Sequence, residues 1–360
     1  MRSLILILFS TLITVSAFSQ LPEEPTFRLF LIGDAGADDE TGPTLKELEK
    51  DLKAAPNSAV VFLGDNCYKK AFFGLLPMNV KGFDGSRITK RRMMSQLNIL
   101  KDYKGSAYFI PGNHDYWNLT NLRRGKKALL KEERFVENTL KNFTSLKNNG
   151  TTFLPDSGRP GPVVREYNKD RTRLIFIDTY RLILEEGEKR PDTAFLNTFY
   201  RDMKKALKGG IAKKQKIIVL AHHPIFAKGK HSLPLVAWQT FVRRFADANT
   251  NYPPYNRMAT RLDSLLKEEN RPSIFYVSGH EHSLEYFNND SLQYIVSGSG
   301  SKVDMVDYKA TVLENEYFIW NEEGYFEIEF YGHFERVIIH HRKDADSEMK
   351  EHCLVGCNVN

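Results

Sequence analysis

The sequence contains little cysteine: only Cys67, Cys353 and Cys357 occur among 360 residues. Three thiols are too few for a fold that depends on a framework of disulfides. Cys353 and Cys357 are close enough in sequence to pair in an oxidising compartment, which would leave Cys67 as a free thiol. The sequence alone leaves this pairing open.

The chain also lacks a large excess of charge of either sign. Its net charge of +6 is the difference between 51 basic and 45 acidic residues. A protein whose main partner is nucleic acid usually carries a denser basic surface, so the balance argues against such a partner. The small positive excess is compatible with attraction of small phosphorylated substrates.

No internal repeat, low-complexity tract or linker rich in proline and glycine divides the sequence. The hydrophobic content of 41% is sufficient for a large buried core. We therefore expect residues 20–360 to form a single domain.

An apolar run near the N-terminus is too short to be a membrane anchor, which needs roughly 20 apolar residues. The run covers residues 4–15, Arg2 precedes it, and Ala17 and Ser19 fit the small-residue positions of a cleavage site. We expect residues 1–19 to be a signal peptide, so that the mature protein is secreted or periplasmic and has no stable membrane anchor.

Short apolar runs alternate with longer amphipathic stretches along the chain. The runs, which are typical of buried strands, are Phe27–Ile32, Ala59–Leu63, Ala107–Ile110, Leu174–Ile177, Ile217–Leu220 and Ile274–Val277. The stretches with helical periodicity include Pro43–Ala54, Arg87–Tyr103, Thr193–Leu207 and Tyr255–Glu269. This alternation predicts an α/β fold whose central strands are mainly parallel.

The pattern changes after Gly298. Tyr325–Phe330 and Glu335–His341 have strand character with no helix between them. We expect them to be antiparallel strands that close a second sheet, within a closing segment of strands and tail at 301–360. The predicted architecture is two packed mixed β-sheets flanked by helices.

Five polar clusters follow predicted strands directly. They are Gly33-Asp34-Ala35-Gly36, Gly64-Asp65-Asn66-Cys67-Tyr68, Gly112-Asn113-His114-Asp115, Val219-Leu220-Ala221-His222-His223 and Gly279-His280-Glu281-His282. In α/β sheets, ligands bind outside the carboxyl ends of the strands. Carboxylates and neutral imidazoles are the groups that hold divalent and trivalent cations, so these clusters predict a metal site at one edge of the sheets.

Each cluster alone is a weak signal. A Gly-Asp pair is usually a turn, and a His-x-His at a strand end can be a pair of core histidines with satisfied hydrogen bonds. The five clusters in this order, each after an apolar strand, are much more specific than any one of them.

Taken together, the motifs Gly-Asp-x-Gly, Gly-Asp-x-x-Tyr, Gly-Asn-His-Asp, Val-x-x-His and Gly-His-x-His resemble the signature of the purple acid phosphatases. These enzymes, including the small tartrate-resistant form, are part of the calcineurin-like metallophosphoesterase superfamily. The resemblance extends from about Phe27 to Ser299 and includes Tyr294–Gly300. The last sixty or so residues match in strand character only.

The resemblance implies a dinuclear metal site with seven protein ligands. One metal, Fe(III), would be held by Asp34, Tyr68 and His282. The second, which is Fe(II), Zn or Mn, would be held by Asn113, His222 and His280. Asp65 would bridge the two.

Three further histidines fall near the implied pocket. His114 matches the family residue that contacts the substrate phosphate and stabilises the transition state. His231 lies nine residues after His222, a spacing shared with the tartrate-resistant form, and would donate a proton or bind phosphate. His223 stands where that form often has tyrosine, so the resemblance assigns it no role. Each can also be an ordinary loop histidine.

The resemblance implies hydrolysis of phosphate monoesters by attack of a metal-bound hydroxide, and thus a metal-dependent phosphoric ester hydrolase of acid phosphatase type. Two alternatives stay open. One is a phosphodiesterase or nucleotidase with the same dinuclear site. The other is a non-catalytic surface or binding protein on the same scaffold, which the presence of all seven ligands disfavours. The sequence does not indicate the oligomeric state.

Overall fold

A computed structural model describes residues 24–68, 83–116, 122–148, 150–230, 252–268, 274–289, 292–304, 317–332 and 334–357. The predicted signal peptide lies outside these ranges. None of the helices within them combines the length and the apolar character that a membrane crossing requires.

The described chain contains thirteen strands and seven α-helices. The strands are β1 (Phe27–Ile32), β2 (Ser58–Phe62), β3 (Ser106–Phe109), β4 (Val163–Tyr167), β5 (Thr172–Phe176), β6 (Lys216–Leu220), β7 (Ile274–Ser278), β8 (Leu284–Asn289), β9 (Leu292–Ser297), β10 (Tyr317–Trp320), β11 (Glu323–Phe330), β12 (Glu335–Arg342) and β13 (Lys350–Val355). The helices are α1 (Pro43–Ala54), α2 (Arg87–Leu97), α3 (Asn113–Tyr116), α4 (Leu122–Leu140), α5 (Thr179–Glu186), α6 (Thr193–Ala212) and α7 (Pro253–Lys267).

The strands form two mixed sheets. The first has six strands in the order β13-β12-β11-β1-β2-β3, and the second has seven in the order β10-β8-β9-β7-β6-β5-β4. Parallel pairing joins β1 to β2 and β2 to β3 in the first sheet, and joins β5, β6, β7 and β9 in the second. The predicted α/β fold with two mixed sheets flanked by helices is confirmed.

Strand β1 shows why the sequence has continuous apolar runs. Leu29 and Leu31 pack in the core between the two sheets, together with residues of β6 and β7. Phe30 and Ile32 point the opposite way and pack with Leu45 of α1 and with residues of α2 and α4. Because both faces are covered here, the successive residues 29–32 are all apolar.

The C-terminal strands differ from the prediction that they would close a second sheet. β11 pairs antiparallel with β1, and β12 and β13 extend this first sheet outward. Arg28 of β1 forms ion pairs with Glu327 and Glu329 of β11, and these charges favour the observed pairing. The strand that joins the second sheet from this part of the chain is β10, which pairs with β8.

The end of helix α2 departs from the sequence prediction, and the structure answers the question of cysteine pairing that the sequence left open. The helix predicted over Arg87–Tyr103 ends at Leu97 and continues as a 3₁₀ turn over Asn98–Leu100. Cys353 and Cys357 form a disulfide, and Cys67 is a buried free thiol.

Candidate metal centre

The predicted ligands lie at the carboxyl ends of strands from both sheets. Asp34 and Asp65 lie in the loops after β1 and β2, Asn113 begins α3 after β3, and the loops after β6 and β7 carry His222 and His280. The parallel strands within each sheet end at the same edge, and the two sheets bring these edges together. The five side chains are almost completely buried.

The backbone at this edge is strained at three predicted ligands. Asp34, Asp65 and His280 have φ values of 57°, 53° and 72°, in the left-handed region that side chains other than glycine rarely adopt. The neighbouring glycines permit close packing: a Cβ added at Gly112 would lie 2.3 Å from Oδ1 of Asp65. Strain of this kind accumulates at functional sites, where the surrounding fold maintains it.

Asp34, Tyr68 and His282 form one half of the cluster. The Tyr68 hydroxyl donates a hydrogen bond to Oδ1 of Asp34 at 2.5 Å and lies 3.1 Å from Nε2 of His282. The backbone N–H of His280 donates to Oδ2 of Asp34 at 2.7 Å. These three side chains are therefore in mutual contact, as the predicted first metal requires.

Asn113, His222 and His280 form the other half. Oδ1 of Asn113 lies 3.0 Å from Nε2 of His222 and 3.1 Å from Nδ1 of His280. The two imidazole nitrogens are 3.3 Å apart. Three potential ligand atoms thus converge on one small volume.

Asp65 lies between the two halves. Its Oδ1 is 3.4 Å from Nε2 of His222, and an Asp65 carboxylate oxygen lies within 4.8 Å of a potential ligand atom of both Asp34 and His222. The backbone N–H of His114 donates to Oδ1 of Asp65 at 2.8 Å and holds the carboxylate in place. This position is the one that the predicted bridge requires.

The orientation of His222 indicates that a cation fits this pocket. Its Nδ1 lies 2.9 Å from the carbonyl oxygen of Leu63, which can only accept a hydrogen bond. Nδ1 therefore carries the hydrogen, and in the neutral imidazole Nε2 presents a lone pair. That lone pair faces the carboxylate of Asp65, which is also an acceptor. A cation between them satisfies both groups, as buried carboxylates generally require.

His282 shows the same arrangement on the other side. Its Nδ1 lies 2.7 Å from Oδ2 of Asp304, and its Nε2 lies 3.6 Å from Oδ1 of Asp34. The Asp304 carboxylate accepts from Nδ1, so the neutral ring again directs a lone pair at an acceptor. Carboxylate–histidine pairs of this kind orient metal ligands in many proteins. The donor set thus fits cations on both sides of Asp65.

The charges of the protein alone leave this pocket electrostatically unbalanced. Burial raises the pKa of Asp34 well above its ordinary value, and repulsion from Asp65 raises it further. Burial opposes ionisation of Asp65 as well, but His222 and His114 bring its pKa below the ordinary value. Burial and the two carboxylates raise the pKa of Tyr68 far above that of free tyrosine. A phenolate at Tyr68 therefore needs a cation beside it.

His114 lies at the mouth of this pocket. Its ring centroid is 4.5 Å from that of Tyr68, and its Nε2 is 3.8 Å from Oδ2 of Asp65. Its side chain is 20% exposed, so a substrate can reach it. Burial lowers the pKa of His114 to about 4, although Asp65 opposes this effect. His231, the other predicted catalytic histidine, lies outside the described residues.

His223 is fully buried beside the centre. Its Nδ1 lies 2.9 Å from Oγ1 of Thr179, which also accepts the backbone N–H of His223. Together with His222 and His280 it forms one of two groups of possible metal ligands among the described residues, and both groups belong to this pocket. The resemblance assigns His223 no role, and in the structure its ring stacks on Tyr180 and contacts the rings of His222 and His280.

Two residues near the centre were missed as functional residues in the sequence. Asp115 accepts hydrogen bonds from the backbone N–H groups of Gly112 and Cys67 and from the amide of Asn66, and so joins the second and third motifs. Its presence in the Gly-Asn-His-Asp motif was the available signal. Asp304 has no such signal, because it lies in an irregular segment after β9.

Several solved structures share this fold. GAP50, described as the anchor in the inner membrane complex of Plasmodium, is 17% identical with a TM-score of 0.57, and the match covers 91% of this chain and 88% of that one. A dimetal phosphatase from Danio rerio is 13% identical with a TM-score of 0.51, covering 92% and 99%. PhoD is 10% identical with a TM-score of 0.55, covering 92% and 70%. At these identities the likeness shows the fold alone.

Among curated proteins, no sequence matches the chain. The family model described as calcineurin-like phosphoesterase matches residues 27–284, a range that contains all seven predicted metal ligands. The chain is therefore a member of the calcineurin-like phosphoesterase family.

Proposed function

We propose that the protein is a dinuclear-metal phosphatase that hydrolyses phosphate monoesters and resembles the purple acid phosphatases. The observation that carries the proposal is the convergence of two sets of donors on either side of the buried Asp65 carboxylate. A single zinc ion takes three or four protein ligands, whereas this arrangement supplies seven donors that include four imidazole or phenol side chains, unlike a calcium site.

The proposed ligand roles follow the two halves of the cluster. Asp34, Tyr68 and His282 would hold one cation. Asn113, His222 and His280 would hold the other, and Asp65 would contact both. Bound in this way, two cations would neutralise the charge of a phosphate ester and activate a water molecule for attack on phosphorus.

The chain's own contribution to chemistry beyond the ligands comes from His114. Its partly exposed ring lies next to Tyr68 and Asp65, within reach of a phosphoryl group bound at the centre. Because its pKa is lowered to about 4, the ring is neutral at weakly acidic and neutral pH. A neutral imidazole can donate one hydrogen bond, and we assign that donation to a phosphoryl oxygen. The role of His231 as a second proton donor or phosphate-binding group stays a prediction.

Tyr68 supports a trivalent iron at the first position. Its hydroxyl is buried within 2.5 Å of one proposed ligand and 3.1 Å of another. Burial and the neighbouring carboxylates raise the pKa of Tyr68, so a phenolate there would be stabilised by a strongly Lewis-acidic cation. We therefore propose Fe(III) beside Tyr68, with Fe(II), Zn or Mn at the second position.

The fold by itself does not establish catalysis, because GAP50 shares it and is described as an anchor. The buried and converging donors favour an enzyme over a non-catalytic binding protein, since buried carboxylates without a cation are costly to maintain.

We also propose that the mature protein is secreted or periplasmic. The disulfide between Cys353 and Cys357 supports this location, because such bonds persist mainly in oxidising compartments. Cell fractionation together with N-terminal sequencing of the mature chain tests it, and a cytoplasmic protein that retains residues 1–19 contradicts it.

The test of function uses purified protein that begins at residue 20. Metal content is measured by mass spectrometry, the visible spectrum is recorded, and hydrolysis of phenyl phosphate is compared with that of diphenyl phosphate. We expect two metals per chain, a visible iron–phenolate band and faster hydrolysis of the monoester. Preference for the diester selects the phosphodiesterase alternative. A protein that binds both metals and hydrolyses neither ester contradicts an enzymatic role.

A further inference from the structure

A lysine that no motif predicted lies at the mouth of the proposed metal pocket. The ammonium group of Lys302 lies 4.7 Å from the ring centroid of Tyr68, a distance typical of a cation–π contact. Lys302 is exposed, whereas Tyr68 is buried. The His114 ring also lies beside the Tyr68 ring, and the side chains of both Lys302 and His114 can be reached from solvent.

The surroundings of Lys302 differ from those of the other lysine nearby. Lys230 forms an ion pair with Asp304 at 3.2 Å, so its charge is locally balanced. Across the described ranges, no carboxylate forms an ion pair with Lys302. A cation without a local ion pair is available for an anionic group of a ligand.

The position of Lys302 indicates which part of a substrate it meets. The scissile phosphoryl group would be bound by the cations and His114, at the buried edge of the strands. Lys302 is exposed and its ammonium group lies over the ring of the buried Tyr68, so it is nearer to solvent than the proposed ligands, where the rest of a substrate would extend. In hydrolysis the water oxygen bonds to phosphorus, the bond from phosphorus to the leaving oxygen breaks, and that oxygen keeps the electron pair. The outer part of the substrate is therefore the leaving group.

We propose that Lys302 is a specificity-determining residue that favours phosphate esters and anhydrides whose leaving group carries a negative charge. This inference rests on the proposed phosphatase function. The leaving group's charge can come from a second phosphate or from a carboxylate, and Lys302 recognises the anion in either case because an ammonium is a compact point charge.

The experiment compares three substrates of the metal-loaded enzyme: phenyl phosphate, 4-carboxyphenyl phosphate and inorganic pyrophosphate. Lys302→Gln removes the charge, and Lys302→Glu reverses it. Lys213→Gln is the control, since it removes one exposed charge just before β6, at the end of the sheet opposite the metal pocket.

We expect Lys302→Gln to lower kcat/KM for 4-carboxyphenyl phosphate and for pyrophosphate by roughly three- to tenfold. The kcat/KM for phenyl phosphate should change by less than about twofold. Lys302→Glu should enlarge this difference between the anionic substrates and phenyl phosphate, and Lys213→Gln should not change kcat/KM for any of the three. Calorimetric titration with pyrophosphate and with inorganic phosphate gives a second measurement, in which only pyrophosphate binding should weaken. If pyrophosphate alone responds, the anion recognised is a phosphate; if both anionic substrates respond, recognition is by charge.

Equal losses on all three substrates would mean that Lys302 contacts the scissile phosphoryl group, and they would overturn the inference. Unchanged kinetics and binding would overturn it as well. Failure of the proposed function itself has a different outcome, since the unaltered enzyme would then hydrolyse none of the substrates while its metal content stayed intact.

Discussion

Nδ1 of His282 donates a hydrogen bond to Oδ2 of Asp304 at 2.7 Å, and this contact fixes which nitrogen of His282 faces the metal pocket. Burial opposes the charge on Asp304, but the bond to His282 brings the pKa of the carboxyl below its ordinary value. The carboxylate therefore stays ionised at working pH. It can hold the ring with Nε2 directed at Asp34 and make that nitrogen a better donor to a metal.

We expect Asp304→Asn to weaken metal binding on the Tyr68 side by roughly 10- to 100-fold, as loss of such outer contacts usually does. The measurement is metal affinity by competition with a chelator, read separately for the two ions. Lys230→Gln is the matched control, because Lys230 contacts Asp304 but not His282. If Asp304→Asn leaves both affinities unchanged, the carboxylate does not position His282.

The bridging role of Asp65 predicts a stronger effect. Asp65→Asn replaces a carboxylate with a neutral amide, which cannot contact two cations as a carboxylate does. We expect both metals to bind weakly and most activity to be lost. Mass spectrometry of the metal content, measured beside turnover, tests this. Two retained metals with near-native turnover would show that Asp65 is not the bridge.

Tyr68→Phe isolates the contribution of the phenol oxygen. The visible band should disappear, because only the phenolate can donate charge to iron, while the ring stays in place. The melting temperature should change little, since the substitution removes one hydroxyl from a buried ring. A variant that keeps its colour would show that the phenolate lies elsewhere. His352→Gln, which changes an exposed histidine outside the pocket, should keep both colour and activity.

The sequence predicted the clustering of the proposed ligands better than their surroundings. Asp34, Asp65 and Asn113 were singled out because each follows a mostly apolar strand, and such strands are typically buried on both faces. The structure brings these residues together with the histidines after β6 and β7. Whether they bind metal stays a prediction.

Lys302 and Asp304 were not predicted as functional residues, because their positions depend on how an irregular segment folds over the pocket. Sheet membership was also not predictable from local patterns. Strand character at Tyr325–Phe330 was correct, but pairing with β1 depends on contacts such as Arg28 with Glu327, more than 290 residues apart in the chain.

Away from the metal pocket, His340 predicts a pH dependence of stability. It is buried on β12, with Nε2 2.9 Å from Oε2 of Glu327, while Asp51 and Glu351 lie within ion-pair distance and Tyr325 stacks on the ring. Burial lowers the pKa of His340, but these carboxylates, Glu327 foremost, raise it overall above the ordinary value.

Because the folded protein holds this proton more tightly than the unfolded chain, its contribution is complete below the ordinary histidine pKa of about 6.5 and is lost as pH rises through the raised pKa. The unfolding free energy should therefore fall across that window, with a slope of at most about 1.4 kcal/mol per pH unit from this group. Urea denaturation at a series of pH values measures it, and His340→Gln should remove this part of the slope. An unchanged slope in the variant would assign the pH dependence to other groups.

His114 gives the prediction that separates binding from chemistry. The ring touches Tyr68 and lies near Asp65, yet its nitrogen is outside both groups of possible ligands. His114→Ala should therefore keep both metals and lose mainly kcat, by roughly 10²-fold or more, with a smaller change in KM. Since a neutral ring acts through one donated hydrogen bond, His114→Gln, whose amide also donates, should recover part of the loss.

Donation from His114 to a phosphoryl oxygen predicts similar losses for phenyl phosphate and for an alkyl phosphate, because that oxygen is present in both. A much larger loss for the alkyl ester would instead place the proton on the leaving oxygen, which needs it more when the leaving group is poor. If neither ester slows, His114 has no part in the reaction, and the ring serves only to cover Tyr68.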